Sequence, residues 1–216
     1  LVGLGFYEIM TNSITNSAYF AEEELGTAVK MLNNLSADLN ILRPSMLETG
    51  LESIAHNLNR KNNDLRFFEF GKTYATSGSA QYSEPGHLCL YITGKNLEES
   101  WRNKPIAADF YVLKGIVAKI LQLLGVTVDS FEALQHPKFE SGLLGKIKEE
   151  PVLQTGIVNK KTLARFDIKQ PVFFADLNWD LLSKIAADNK PAFKPIAKFP
   201  AVQRDLALIV SNQLAY

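Results

Sequence analysis

Apolar residues at Leu47, Leu51, Ile54, Ala55 and Leu58 recur at steps of three and four, the stripe of an amphipathic helix. Ser45 and Glu48 stand just ahead of it at the S-x-x-E spacing of a capping box, each placed to satisfy a free N–H at the helix start. A polar Asn/Arg/Lys turn over residues 57–64 follows, then LRFFEFGKTY at 65–74, whose aromatic residues predict a strand. Residues 87–94, HLCLYITG, predict a second strand, and the loop 77–86 between them predicts an antiparallel pair.

Upstream, residues 6–14 read as a strand with Phe6, Met10 and Ile14 on one side and Tyr7 and Ile9 on the other. Apolar residues on both faces place it inside a sheet rather than at its rim. Residues 17–25 predict a short helix ending at Gly26, and 28–32 and 40–42 short strands around the polar loop NNLSAD. Downstream, Asp109 caps the strongest helix, with Leu113, Ile116, Val117, Ile120, Leu121 and Leu124 in step and Gly125 as its stop. Short strands follow at 127–131, 142–148, 152–158 and 172–177, the middle two joined by a turn at Glu149-Glu150-Pro151. Short helices follow at 160–166 and 180–187. Strands after strands, with helices inserted singly, give an α+β domain whose sheet is mainly antiparallel and flanked by helices.

The 216 residues carry no formal net charge, so no global field draws the chain to nucleic acid or an anionic membrane. No apolar run reaches the length of a membrane span, and no signal peptide is visible. Cys89 is the only cysteine, which excludes an internal disulfide and a thiolate metal cluster and fits a cytoplasmic setting. It sits in an apolar strand pattern without a basic neighbour in sequence, as a buried reduced thiol does.

Candidate chemistry is sparse. Neither G-x-x-x-x-G-K-[ST], G-x-G-x-x-G nor a G-x-S-x-G elbow occurs. His56, His87 and His136 lie far apart without metal-ligand spacing, so each reads as a surface or packing residue. Glu69, alone among Phe67, Phe68 and Phe70, is the acid of most interest. It reads either as a contact for a substrate amine or metal, or, preferably, as a structural carboxylate paired with Arg43, Arg66 or a backbone N–H. Arg60 and Lys61 could touch RNA phosphate, but two cations add little affinity.

Four blocks, in order, resemble the bacterial phenylalanyl-tRNA synthetase beta-subunit family: LVGLGFYEIMTNSI, LRPSMLETGLESIAHNLNRKNNDLRFFEFGKTY, DFYVLKGIVAKIL and FPAVQRDLALIV. The resemblance implies a class II synthetase-like module over residues 1–188. Residues 189–216 would be a Lys/Pro linker and the first strand, 204–210, of a following ferredoxin-like anticodon-binding domain. The opening LVGLG would end a helix begun upstream in a longer chain.

A working class II site places an arginine just after the strand resembling RFFEFGKTY; here Ala75, Thr76 and Ser77 occupy that stretch. It also needs a glycine-rich late strand and a second arginine, where this chain reads FFADLNWDLLSKI with Asp176, Asn178 and Asp180. Anionic ATP would meet acids where it needs cations. The resemblance therefore implies a module without catalytic, cofactor-binding or metal-binding residues, inactive by itself although the parent complex uses ATP and magnesium. It would pack on the catalytic alpha subunit through Leu4, Phe6, Tyr7 and Ile9, in a heterotetramer that charges tRNA(Phe). Its rivals are a diverged class II-like enzyme or amino-acid-binding module, with Glu69 or Asp176 on an amine, and a stand-alone RNA-binding module.

Overall fold

A computed structural model describes residues 1–34, 36, 38–78, 81–97, 100–189, 198–199, 202 and 204–207. Its centre is a seven-stranded sheet. In chain order the strands are β1 (Tyr7–Glu8), β2 (Leu65–Lys72), β3 (Gly86–Thr93), β4 (Ser130–Ala133), β5 (Phe139–Ile147), β6 (Glu150–Val158) and β7 (Val172–Asn178). Across the sheet they run β1-β2-β3-β7-β6-β5-β4. The β1–β2 pair is parallel and every other pair antiparallel, as the succession of strands predicts.

Four helices flank the sheet: α1 (Leu47–Leu58), α2 (Phe110–Leu123), α3 (Lys160–Ala164) and α4 (Trp179–Asp188). Alternation along β2 sends Phe68 to one face and Phe67 and Glu69 to the other. On the first face Phe68, Leu88, Leu90 and Phe173 pack with Leu113, Ile116 and Val117 of α2 and Leu182 of α4. On the second, Phe67, Tyr91 and Phe174 pack with Leu47, Leu51 and Ile54 of α1 and Leu163 of α3. Burial on both faces explains why the central strands carry apolar runs.

Asp109 caps α2 as expected, accepting a hydrogen bond from Val112 N at 2.8 Å. Gly125, at φ +65°, follows its end. The β5–β6 hairpin turns at Lys148 and Glu149, both at positive φ, one residue before the predicted turn.

Several expectations are corrected. Residues 6–14 are not one strand: only Tyr7–Glu8 pairs with β2, and it lies at the rim, with Met10 96% exposed. The predicted helix 17–25 is a 3-10 turn, Ser17–Tyr19, and a separate helix, Glu22–Leu25. Residues 77–86 are not simply loop, since Ala75–Gly78 pairs with Gln81–Ser83. The capping box is absent: Ser45 Oγ accepts from Leu47 N, while Glu48 is buried against Lys138. The linker expected from residue 189 and the strand expected over 204–210 lie mostly outside the described residues.

Candidate functional site

Strand register sets the chemistry of the face beneath α1. Glu69, Cys89, Asp176 and Gln154 stand directly opposite one another on β2, β3, β7 and β6, one polar row across four strands. The adjacent row is Phe67, Tyr91, Phe174 and Gly156. Helix α1 lies close over this second row. A Cβ on Gly50 would fall 2.1 Å from the Tyr91 ring, and Tyr91 Oη donates to Met46 O at 2.7 Å.

At the β2 end of the polar row, Arg43 and Glu69 form a buried ion pair. Arg43 Nη1 lies 3.1 Å from Glu69 Oε1, and Arg43 Nε donates to Lys72 O at 2.8 Å. Thr11 donates its N–H to Glu69 Oε1 and its hydroxyl to Oε2, at 3.1 and 2.8 Å. Of the three partners proposed for Glu69, two are present, Arg43 and a backbone N–H. Arg66 instead reaches Leu4 O and Asn96.

Farther along the row a cavity of about 260 Å³ opens beside His87, Asp176, Gln154, Phe139 and Phe174. His87 Nδ1 is 2.7 Å from Asp176 Oδ1, and its Nε2 is 2.9 Å from Thr73 Oγ1. With the ring proton on Nδ1, toward the carboxylate, Nε2 is left to accept from Thr73. Hydroxyl, imidazole and carboxylate in this order have the form of a nucleophile relay. Thr73, however, is buried in the wall at 8% exposure, whereas a nucleophile must be presented to its substrate. Cys89, fully buried, has its thiol pKa pushed well up by burial first and by Asp176 second, which keeps it inert.

Lys138 is the one lysine or arginine among the residues lining this cavity. Its Nζ lies 2.5 Å from Glu24 Oε1 and 2.6 Å from Glu48 Oε1, and 4.8 Å from the centre of the Phe20 ring. Neither Glu48 oxygen has a partner in hydrogen-bonding geometry, so that contact is an ion pair alone. His136 lines the same wall, and burial first and Lys138 second lower its pKa. A larger cavity of about 470 Å³, between α2 and β4, is lined mainly by apolar groups and gathers no comparable polar set.

The structure thus sets His87, His136 and Asp176 around one cavity, while His56 lies on α1 away from it. Glu24, Thr73, Lys138 and Gln154 escaped the sequence reading, and Glu48 was read only as a helix cap, because they come from separate segments with no common spacing. Ala75, Thr76 and Ser77 belong to a small, partly exposed hairpin and supply no cation. Asp180, rather than facing a phosphate, accepts from Gly86 N at 2.7 Å.

The four interface candidates do not form one patch. Phe6 is only 2% exposed and packs in the core with Phe68, and Leu4 and Ile9 are half-buried. Tyr7 is 73% exposed, and Met10, three positions on, which sequence reasoning assigned to a covered face, is 96% exposed.

The family model described as the phenylalanyl tRNA synthetase beta chain CLM domain matches residues 1–179. The chain is 42% identical to the phenylalanine–tRNA ligase beta subunit of Bacteroides fragilis and 43% to that of Bacteroides thetaiotaomicron, in each case over all of this chain. The Porphyromonas gingivalis beta subunit is 33% identical over the same span. The chain spans 28% of the length of these relatives. Among solved structures it is similar to the pyrrolysyl-tRNA synthetase of Desulfitobacterium hafniense, at TM-score 0.64 and 19% identity, covering 86% of this chain and 62% of that one. That likeness establishes a class II synthetase-like fold.

Proposed function

The chain belongs to the phenylalanyl-tRNA synthetase beta chain family, and on that premise we propose that it is a non-catalytic structural module of a phenylalanine–tRNA ligase. It packs on the catalytic alpha subunit in a cytoplasmic heterotetramer that aminoacylates tRNA(Phe). Contact with that tRNA is made through the complex rather than by this module as an independent RNA binder.

The observation that carries the reading is the state of the cations on the sheet face. Arg43 is bound to Glu69, Thr11 and Lys72 O, and Lys138 is held between Glu24 and Glu48. Neither is left to receive a triphosphate or an amino-acid carboxylate, and Asp176 and Asp180 would repel both. ATP does not fit this residue set. No helix among the described residues is long and apolar enough to cross a membrane.

Phenylalanine-dependent pyrophosphate exchange, measured on this chain alone and with the alpha subunit, tests the reading. Exchange only when the alpha subunit is present, with the two proteins co-sedimenting, is the expected result. Exchange by the chain alone, or failure to associate, overturns it.

A further inference from the structure

We propose that the apolar cavity between α2 and β4 binds a medium-chain fatty acid, with its carboxylate on Lys114. This goes beyond a structural role and holds whether or not the chain packs on an alpha subunit.

The path of the chain makes the slot. It runs down α2, turns at Gly125 and returns through Val128 to Phe131 on β4. Val117, Ala118 and Leu121 of α2 line one wall and Val128 and Phe131 the other, around a space of about 470 Å³. That volume lies within the range of small-ligand cavities. Between Lys114 and Gln122, which both line it, α2 rises about 12 Å. A slot of that length suits an extended alkyl chain better than a compact ring. Two small residues shape it. Ala118 offers only a methyl group, and Gly145, opposite Phe131 on β5, lets the Phe131 ring lie against the sheet, where a Cβ would meet Phe131 Cε1 at 3.3 Å.

Charge then fixes which end of the ligand goes where. Lys114 is the one charged group among the described residues lining the cavity, and its Nζ lies 5.4 Å from the centre of the Phe131 ring. No carboxylate among the described residues forms an ion pair with it. Asp129 and Glu132, the acids nearest Phe131 in the chain, are engaged by Lys148 N and Lys146 Nζ at 2.8 and 2.7 Å. At the opposite end Gly125 O accepts from Asn189 Nδ2 at 2.8 Å, and on the floor Thr155 donates its hydroxyl to Phe174 O. One ammonium at one end of an apolar slot calls for one carboxylate on an apolar tail. The tail supplies most of the affinity, because burying several methylenes outweighs one exposed ion pair.

Calorimetric titration of the full chain with octanoate, hexanoate, octanol and octylammonium tests the assignment. Octanoate should bind, hexanoate about tenfold more weakly for want of two methylenes, and octylammonium more weakly than octanoate. Lys114→Met keeps the apolar stem and removes the charge. It should weaken octanoate by about fivefold, the upper end for an exposed ion pair, and leave octanol unchanged. Ala118→Phe, at an exposed helix position, should fill the slot and abolish binding of both while the protein stays folded.

Three results would overturn the proposal: no octanoate binding at millimolar concentration, equal octanoate binding by Lys114→Met, or full affinity in folded Ala118→Phe. None of these bears on pyrophosphate exchange or on subunit association, so the two readings fail separately.

Discussion

Arg43 and Glu69 meet 3.1 Å apart on the sheet, with both side chains 3% exposed. They join three segments distant in sequence, since Thr11 hydrogen-bonds to both. A carboxylate on an aromatic strand thus works as a structural tie between the sheet, the chain after β1 and the residues leading into α1. Its arginine is held by the same bonds that make it unavailable to a ligand.

Removing one partner should expose the value of this tie. Arg43→Met leaves Glu69 buried and without its ion-pair partner, and should cost about 3–5 kcal/mol. Arg43→Met combined with Glu69→Leu should recover much of that loss. Urea unfolding of the two variants checks this; equal destabilisation of both would show that the pair itself, rather than the abandoned charge, carries the stability.

Gly50 presents a conflict of sign that experiment can decide. Helix propensity favours Gly50→Ala by about 1 kcal/mol. The added methyl would fall 2.1 Å from the buried Tyr91 ring, and overpacking of that kind costs about 1–3 kcal/mol. Net destabilisation is expected, relieved in part by Tyr91→Leu. A more stable Gly50→Ala protein would mean that α1 does not lie this close to the sheet.

The Asp109 cap is the simplest local test. Asp109→Ala should cost about 1 kcal/mol, and amide exchange should quicken in the first turn of α2, Val112 foremost. Unchanged exchange at Val112 would remove the cap from the account.

His136 makes stability depend on pH. Its folded pKa is lowered, by burial first and Lys138 second, so below the unfolded value of about 6.5 the unfolded chain binds more protons than the folded one. Its contribution is therefore fully present above that value and is lost as pH falls from there through the lowered folded value. Denaturant midpoints should drop more steeply between pH 7.5 and 5.5 in the wild type than in His136→Gln. Parallel profiles would contradict the assignment.

These residues also mark what was legible in the sequence. The α1 stripe, the Asp109 cap and the pairing of the two aromatic strands follow from local periodicity and turn chemistry. The capping box failed because Glu48 finds Lys138, ninety positions away, a tertiary partner that spacing does not encode. Residues 6–14 looked like an interior strand because Tyr7 and Met10 are apolar, yet only Tyr7–Glu8 pairs, and it does so at the rim. Glu69 was legible as an acid among aromatics. The cavity was not, because Thr73, His87, Lys138 and Asp176 converge only once four strands are in register.

On this sheet face Arg43 and Lys138 are both bound to carboxylates, so neither is free to hold a nucleotide. Thermal unfolding of the chain alone, with and without Mg·ATP, tests it most directly. A ligand of the native state present at a hundredfold excess over its Kd stabilises by about 2.7 kcal/mol. The account predicts a cooperative transition at the same midpoint in both samples. A clear rise with Mg·ATP would contradict it, showing a cation free to grip phosphate where Arg43 and Lys138 are bound to carboxylates.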